Sequence, residues 1–295
     1  MKFSLHFGNN TFPDLAGATR LARLAEAAGF DSVFAVDHVV IPGAYTSTYP
    51  YAASGRLPGD VTASLPDPLI WMAAAMAITT RLRFMTGVII LPLRHPMVLA
   101  KQVATLDVLS AGRVDLGVGV GWQKEEYDAQ GLDFSQRGRL LEETIAACRA
   151  LWSDLPAKFD SGSVSFEDTF CSPQPAQPRL PVWFGGTLSD RMLARITELG
   201  DGWIPIMGAT LDDVREGAER LRTASSRPID VQMRASTVMG ADGKPDPVAT
   251  LGALPELVAA GVTDVTVNLA AFAPTLADAP AALASLGKAF GEEAR

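Results

Sequence analysis

Three short stretches of this 295-residue chain carry residue types suited to chemistry. The first is Asp37-His38, directly after the apolar run 32–36. An imidazole can give and take a proton near neutral pH, and an adjacent carboxylate can orient it or touch a ligand. The second is GRVDLGVGVGWQKEEY at residues 112–127. A strand-type run breaks there into Gly117, Gly119 and Gly121 and hands over to a helix start at Lys124, Glu125 and Glu126. Glycines at such a junction let an anionic ligand lie against bare backbone N–H groups. The third is Trp183-Phe184-Gly185-Gly186, followed by Thr187 and Ser189. Amides after a Gly-Gly pair and before a helix form a nest for phosphate. Plain alternatives stand beside each reading. Gly-Gly is common turn chemistry, His38 can cap a loop, and the two glutamates suit the first turn of a helix, where acids complement its dipole. Glu125 is also within reach of a ligand held by the glycines.

Those residues need elements that bring them together. Strand patterns fall at residues 3–7, 32–36, 82–90, 113–118, 182–184, 202–205, 230–238 and 264–269. Helical patterns follow each, at 15–28, 67–77, 97–109, 139–152, 190–199, 211–221, 248–260 and 278–290. The breaks are chemically marked, by Gly29, Gly200 and Gly261 after helices and by Asp67-Pro68 before one. Eight strand-then-helix units predict a (β/α)₈ TIM barrel, with all three candidate sites at strand C-termini, the mouth. A doubly wound open sheet is the rival, and it leaves the eightfold count unexplained. The expectation is one barrel domain over 1–295 with two insertions. Residues 41–66, rich in Pro, Gly, Ser and Tyr, overhang the mouth as a lid-type segment, unless they are only a disordered surface loop. Residues 154–180 form a small hairpin, placed by expectation on the opposite, N-terminal face.

Composition excludes several partners. The chain is 48% hydrophobic and 20% charged, with a formal net charge of −8. Nucleic acid and anionic membrane reward clustered Lys and Arg, so neither is expected. Cys148 and Cys171 are the only cysteines, which makes neither a disulfide scaffold nor a metal cluster and favours a reducing cytoplasm. A Rossmann site is also disfavoured. Its glycines open the first βα unit, whereas these follow the fourth strand and run into bulky Trp122 and Gln123.

Three ordered blocks then resemble one known family. They are residues 27–34 leading to Asp37-His38, residues 107–113 leading to Gly117–Trp122, and residues 181–186 followed by 199–203. Together they resemble the bacterial luciferase-like oxidoreductases, TIM barrels that use FMN or the deazaflavin coenzyme F420. The run Gly117–Trp122 with Glu125, Glu126 and Tyr127, then Arg137-Gly138-Arg139, resembles the F420-dependent branch. The resemblance implies hydride exchange between F420, or alternatively FMN, and a small organic substrate. An FMN monooxygenase and a flavin-binding protein without turnover are the other readings. It implies His38 and Asp37 as catalytic residues. It implies a cofactor site of Asp37, Thr86, Gly87, Val88, Gly119, Val120, Gly121, Trp122, Glu125, Gly185, Gly186 and Thr187, with a cis Gly87–Val88 peptide bulging beneath the ring. It also implies a homodimer through the helices after strands two and three. One departure stands out. Trp122 occupies the position at which the sugar-oxidising F420 enzymes carry a glutamate, so a phosphosugar substrate and the same acid–base pair are both in doubt.

Overall fold

The computed structural model describes residues 1–293. Eight strands form its wall: β1 (Lys2–His6), β2 (Ser32–Ala35), β3 (Arg83–Thr86), β4 (Val114–Gly119), β5 (Val182–Gly185), β6 (Gly202–Ile204), β7 (Asp230–Arg234) and β8 (Asp264–Asn268). Each pairs in parallel with the next, and β8 pairs with β1 over Lys2↔Asp264 to His6↔Asn268. The sheet is closed, which excludes the open, doubly wound alternative. Helices flank the barrel, and their starts are built as the sequence signals them. Asp14 accepts from the Gly17 amide, Asp67 from the Leu69 and Ile70 amides ahead of Pro68, and Thr210 forms a capping box with Asp213. Each cap satisfies amides that the first helical turn leaves without a partner.

Strand alternation sorts the side chains. Phe3 and Leu5 are fully buried, and Phe3 stacks on Phe30 and Phe290 outside the wall. The opposite parity therefore faces the barrel interior. There Ser4 Oγ donates to Asp264 Oδ1 at 2.8 Å, Ser32 Oγ to Ser4 Oγ at 2.8 Å, and Gln232 Nε2 to Thr266 Oγ1 at 2.6 Å. In the same interior Arg83 grips Asp115 with two nitrogens, at 2.9 and 2.7 Å. Following this parity upward, β1 delivers His6 and β7 delivers Arg234 to the mouth.

Four features depart from the sequence reading. The third strand does not run unbroken over 82–90. It stops at Thr86 and resumes at Ile89–Ile90 beside Val118 and Gly119, the break being the cis Gly87–Val88 peptide that the family resemblance implies. The helix expected over 248–260 is two helices, Pro247–Leu251 and Leu254–Ala259. Pro255 lacks the N–H that would continue the first into the second. A four-residue helix, Gly8–Thr11, follows β1 at once. Of segment 154–180 it is Gln177 that reaches the N-terminal ends of β3 and β4, at Arg83 and the Val114 carbonyl, rather than the hairpin of Ala157–Asp160 with Ser165–Thr169. The hairpin lies along the helix Arg137–Ser153, with Ser163 bonded to Glu143, and its Ala157 and Phe166 are buried.

Burial of Asp264 in this polar interior pushes its carboxyl up to about 7, with Ser4 and Lys2 opposing. An unfolded aspartate titrates near ~3.9. Between about 4 and 7 the folded chain therefore holds one proton more than the unfolded chain. Its stability falls as pH rises through that window and is level above it. Urea unfolding at pH 5 and pH 8 checks this. The wild type is expected to lose roughly 1–3 kcal/mol more across the interval than Asp264→Asn, at ~1.4 kcal/mol per pKa unit. Parallel profiles for the two proteins would refute the assignment.

Candidate functional site

The mouth is assembled from the exits of β1 to β5. Where β2 ends, Asn9 holds the chain: its Oδ1 accepts from the Val36 amide at 2.8 Å, and its Nδ2 donates to the Val36 and Pro66 carbonyls. The next two side chains then diverge. Asp37 is buried and accepts from the Ile90 amide at 2.9 Å and from Arg94 Nη2 at 2.8 Å. Arg94 reaches on to Asp67 at 2.8 Å. Burial pushes the Asp37 carboxyl up, against the pull of Arg94 and the Ile90 amide. Asp37 thus ties β2 to the resumed third strand, and its oxygens are not the ones that orient His38.

That task falls to Glu126. His38 Nδ1 lies 2.9 Å from Glu126 Oε2, while Trp122 Nε1 donates to His38 Nε2 at 3.3 Å. An indole can only donate, so Nε2 accepts, and Nδ1 carries the hydrogen that faces the carboxylate. Glu126 Oε1 accepts from the amides of Val39 at 2.6 Å and Val40 at 3.2 Å. Its side chain is only 1% exposed. The preceding residue points to the loop instead. Glu125 accepts from the amide and hydroxyl of Thr46 and of Ser47, at 2.7 to 3.1 Å. The Ser47 hydroxyl leads these partners in drawing the Glu125 carboxyl down to about 2, against its desolvation. Ser47 Oγ in turn accepts from the Lys124 amide at 2.9 Å, at the start of the helix Lys124–Ala129. Both acids sit in that helix's first turn, as expected, but their oxygens leave the helix and bind the chain beyond β2.

Residues 45–49 of the segment 41–66 pack at the exit of β4 through the same contacts. Tyr45 and Tyr49 meet the Trp122 ring edge-on, at 5.4 and 5.1 Å between centroids, and Tyr49 meets Tyr51 at 5.3 Å. Burial pushes the phenols of Tyr49 and Tyr51 up.

The glycines serve close packing as well as exposure. A Cβ on Gly117 would lie 1.9 Å from the Thr86 carbonyl oxygen. A Cβ on Gly119 would lie 2.6 Å from Val88 Cγ2, and one on Gly185 would lie 2.9 Å from Val88 Cγ1. Val88 is therefore wedged between β4 and β5, at positions where neither neighbour can carry a side chain. Gly121 has φ +68° and faces Ile90. Thr86 Oγ1 donates to the Gly117 carbonyl at 2.7 Å, and Tyr127 Oη to the Val120 carbonyl at 2.6 Å. The nest after β5 is narrower than the sequence implied. The Gly186 amide donates to the Ile204 carbonyl at 3.0 Å, and its carbonyl accepts from Trp203 Nε1 at 2.8 Å. Among the described residues, the Thr187 and Leu188 amides have no intramolecular partner. Ser189 caps the helix Asp190–Leu199.

At the end of β1, His6 Nε2 lies 3.2 Å from the Gly87 carbonyl oxygen, and Nδ1 is buried without a partner among the described residues. A carbonyl only accepts, so Nε2 carries the hydrogen and Nδ1 the lone pair. Burial lowers this imidazole to about 4. Sequence reasoning gave no sign of Glu126 as the partner of His38, or of the Arg94–Asp37 bridge. The members of those pairs are 88 and 57 positions apart, and no local pattern encodes such a pairing.

Comparison with known proteins places the chain in a family and a fold. The family model described as luciferase-like monooxygenase matches residues 3–242. An uncharacterized protein of Mycobacterium tuberculosis is 37% identical over 203 residues, covering 68% of this chain and 72% of that one. An F420-dependent glucose-6-phosphate dehydrogenase of Beutenbergia cavernae is 34% identical over 227 residues, covering 72% of this chain and 62% of that one. Among solved structures, monooxygenase RslO1 from Streptomyces bottropensis superposes with a TM-score of 0.82 at 18% identity, each chain covered in full, a likeness of fold.

Glu125→Ala removes every bond that Glu125 makes to Thr46 and Ser47. Limited proteolysis within 41–66 is expected to accelerate at least severalfold, while the thermal midpoint moves little. Glu126→Ala leaves the His38 imidazole and two amides without their acceptor, and is expected to cost about 2–4 kcal/mol in urea unfolding. An unchanged cleavage rate in the first variant, or unchanged stability in the second, would contradict the geometry.

Proposed function

The chain belongs to the luciferase-like monooxygenase family, and on that premise we propose that it is an oxidoreductase passing a hydride between coenzyme F420 and a small organic substrate. One observation carries this reading: an imidazole beyond the end of β2, backed by a buried carboxylate, shares a barrel mouth with the Gly87–Val88 bulge. Likeness to an F420-dependent dehydrogenase supports the deazaflavin over FMN.

The residues present suit a flat, phosphorylated ring. Val88 stands between two strands that have no side chain beside it, so the bulge offers a smooth floor. At the phosphate corner the Gly186 amide is already committed to the Ile204 carbonyl, and the amides of Thr187 and Leu188 are left to take an anion. When bound, the coenzyme supplies a ring position that accepts or gives up a hydride. The chain supplies the rest. His38 Nε2 takes up the proton that leaves the substrate on oxidation, or returns it on reduction, once the Trp122 indole releases that nitrogen. Glu126 holds the imidazole in place through Nδ1 and stabilises the imidazolium that forms. The 41–66 segment, pinned by Glu125 and packed edge-on against Trp122, excludes water from the mouth. Trp122 carries no acid–base function, so the proton work rests on His38.

Two further parts of the reading have support. The helices Pro68–Met76 and Pro96–Leu109 expose Ile70, Val98 and Leu109, at 72%, 55% and 78%, which suits burial against a second copy. Both cysteines are free and buried, which suits a reducing cytoplasm. Among the described residues, no helix is long and apolar enough to cross a membrane.

Titrating the purified protein with F420 and with FMN, followed by fluorescence quenching, tests the coenzyme. F420 is expected to bind at micromolar concentration and FMN at least tenfold more weakly. FMN binding without F420 binding would reassign the protein to flavin chemistry. His38→Ala is expected to lower turnover by about 10²–10⁴-fold, the range for a lost general acid or base, and to leave coenzyme affinity within a fewfold. Unchanged turnover would remove His38 from the mechanism.

A further inference from the structure

At the end of β7 the mouth carries a cation that the proposed chemistry does not use. Arg234, at the end of β7, is partly buried. Among the described residues it pairs with no carboxylate, and its one hydrogen-bonding contact is Met207 Sδ at 3.4 Å, a weak acceptor. Burial without an anion draws its guanidinium below the ordinary arginine range. Its surroundings are flat and apolar. The guanidinium carbon lies 5.8 Å from the centroid of the Phe7 ring, and that ring stacks on His6 at 4.1 Å with the planes 4° apart. Phe7 has φ +70°, a left-handed conformation unfavourable for a bulky residue. Such a conformation persists where the surroundings enforce it, and here it places an aromatic ring beside both His6 and Arg234. His6 Nδ1, buried and without a partner among the described residues, adds a lone pair to the same part of the mouth.

We propose that Arg234 anchors the substrate, and that the substrate is an organic monocarboxylic acid whose carboxylate pairs with the guanidinium while its apolar body lies against Phe7. The proposal rests on the oxidoreductase reading above for its location but not for its chemistry. A guanidinium matches a carboxylate with two parallel N–H donors. A phosphate dianion would need a second cation, and the arginines of the mouth and its covering segment are otherwise engaged. Arg94 is bonded to Asp37 and Asp67, and Arg56 lies over Tyr45 and bonds its carbonyl. One positive charge without a carboxylate suits one negative charge.

Benzoate, its uncharged isostere benzamide, and phenyl phosphate are the probes. Each is titrated calorimetrically into the full chain, alone and with whichever coenzyme binds. Wild-type protein is expected to bind benzoate at least tenfold more tightly than benzamide, and no less tightly than phenyl phosphate. Arg234→Met keeps the bulk and removes the charge, and it is expected to bring benzoate down to the affinity of benzamide. Arg234→Lys is expected to retain part of the difference. Thermal melting within a few degrees of wild type shows that either variant is folded, and either one alone suffices for the comparison. Equal binding of benzoate and benzamide by the wild type, no binding of benzoate, or unchanged benzoate affinity in Arg234→Met would overturn the proposal. So would phenyl phosphate binding tenfold tighter than benzoate. The coenzyme titration separates the two readings. If neither coenzyme binds but benzoate binds through Arg234, the oxidoreductase assignment falls and the carboxylate site stands. If Arg234→Met loses coenzyme and keeps benzoate, the carboxylate site falls.

Discussion

A single buried carboxylate holds the His38 half of the mouth in one arrangement. Glu126 receives three N–H groups, from the His38 ring and from the amides of Val39 and Val40. A carboxylate taken out of water needs such partners, and removing any of them leaves charge or dipole unsatisfied. The exits of β2 and β4 are therefore locked to each other. Successive residues on a helix point about 100° apart, a consequence of ~3.6 residues per turn. Glu126 consequently faces the imidazole while Glu125 faces the chain at Thr46 and Ser47. Two adjacent acids thus fix both a side chain suited to proton transfer and the segment that covers it.

The break in the third strand depends on a second constraint, which is steric. Val88 needs neighbours without a Cβ on both sides, and Gly119 and Gly185 supply them. The Ile90 amide that follows is held by Asp37, itself held by Arg94. Glycine at these positions is thus explained by packing before any ligand is considered. A surface for a flat ring follows from that packing, because a wall without side chains is also a wall that a ring can approach.

The two halves of the mouth differ in kind. In the β2–β4 half, His38, Glu126 and Trp122 are joined in one chain of hydrogen bonds. The β1–β7 half holds, among the described residues, an imidazole nitrogen without a partner and a guanidinium without a carboxylate. Tyr49 packs on the first half, its ring meeting Trp122 edge-on at 5.1 Å.

Much of the barrel was legible along the chain because it is written in short-range terms. Strand parity, Asp and Thr caps, Asp-Pro at a helix start and glycines after helices are local, and they placed the eight units and the candidate sites at strand ends. Asp37-His38 and the glycine runs were visible for the same reason. What remained hidden depends on contacts between distant residues. The eightfold count implied that β8 closes onto β1, but the register of that closure, Lys2 on Asp264 and His6 on Asn268, is set only by the packed barrel. The choice of Glu126 over Asp37 as the partner of His38, the commitment of the Gly186 amide to Ile204, and the placement of Arg234 beside Phe7 and Met207 were likewise settled by the folded arrangement. Residue type states what a side chain can bond to, but only the packed chain decides which partners come within about 3 Å, the span of a hydrogen bond, and which are left without one.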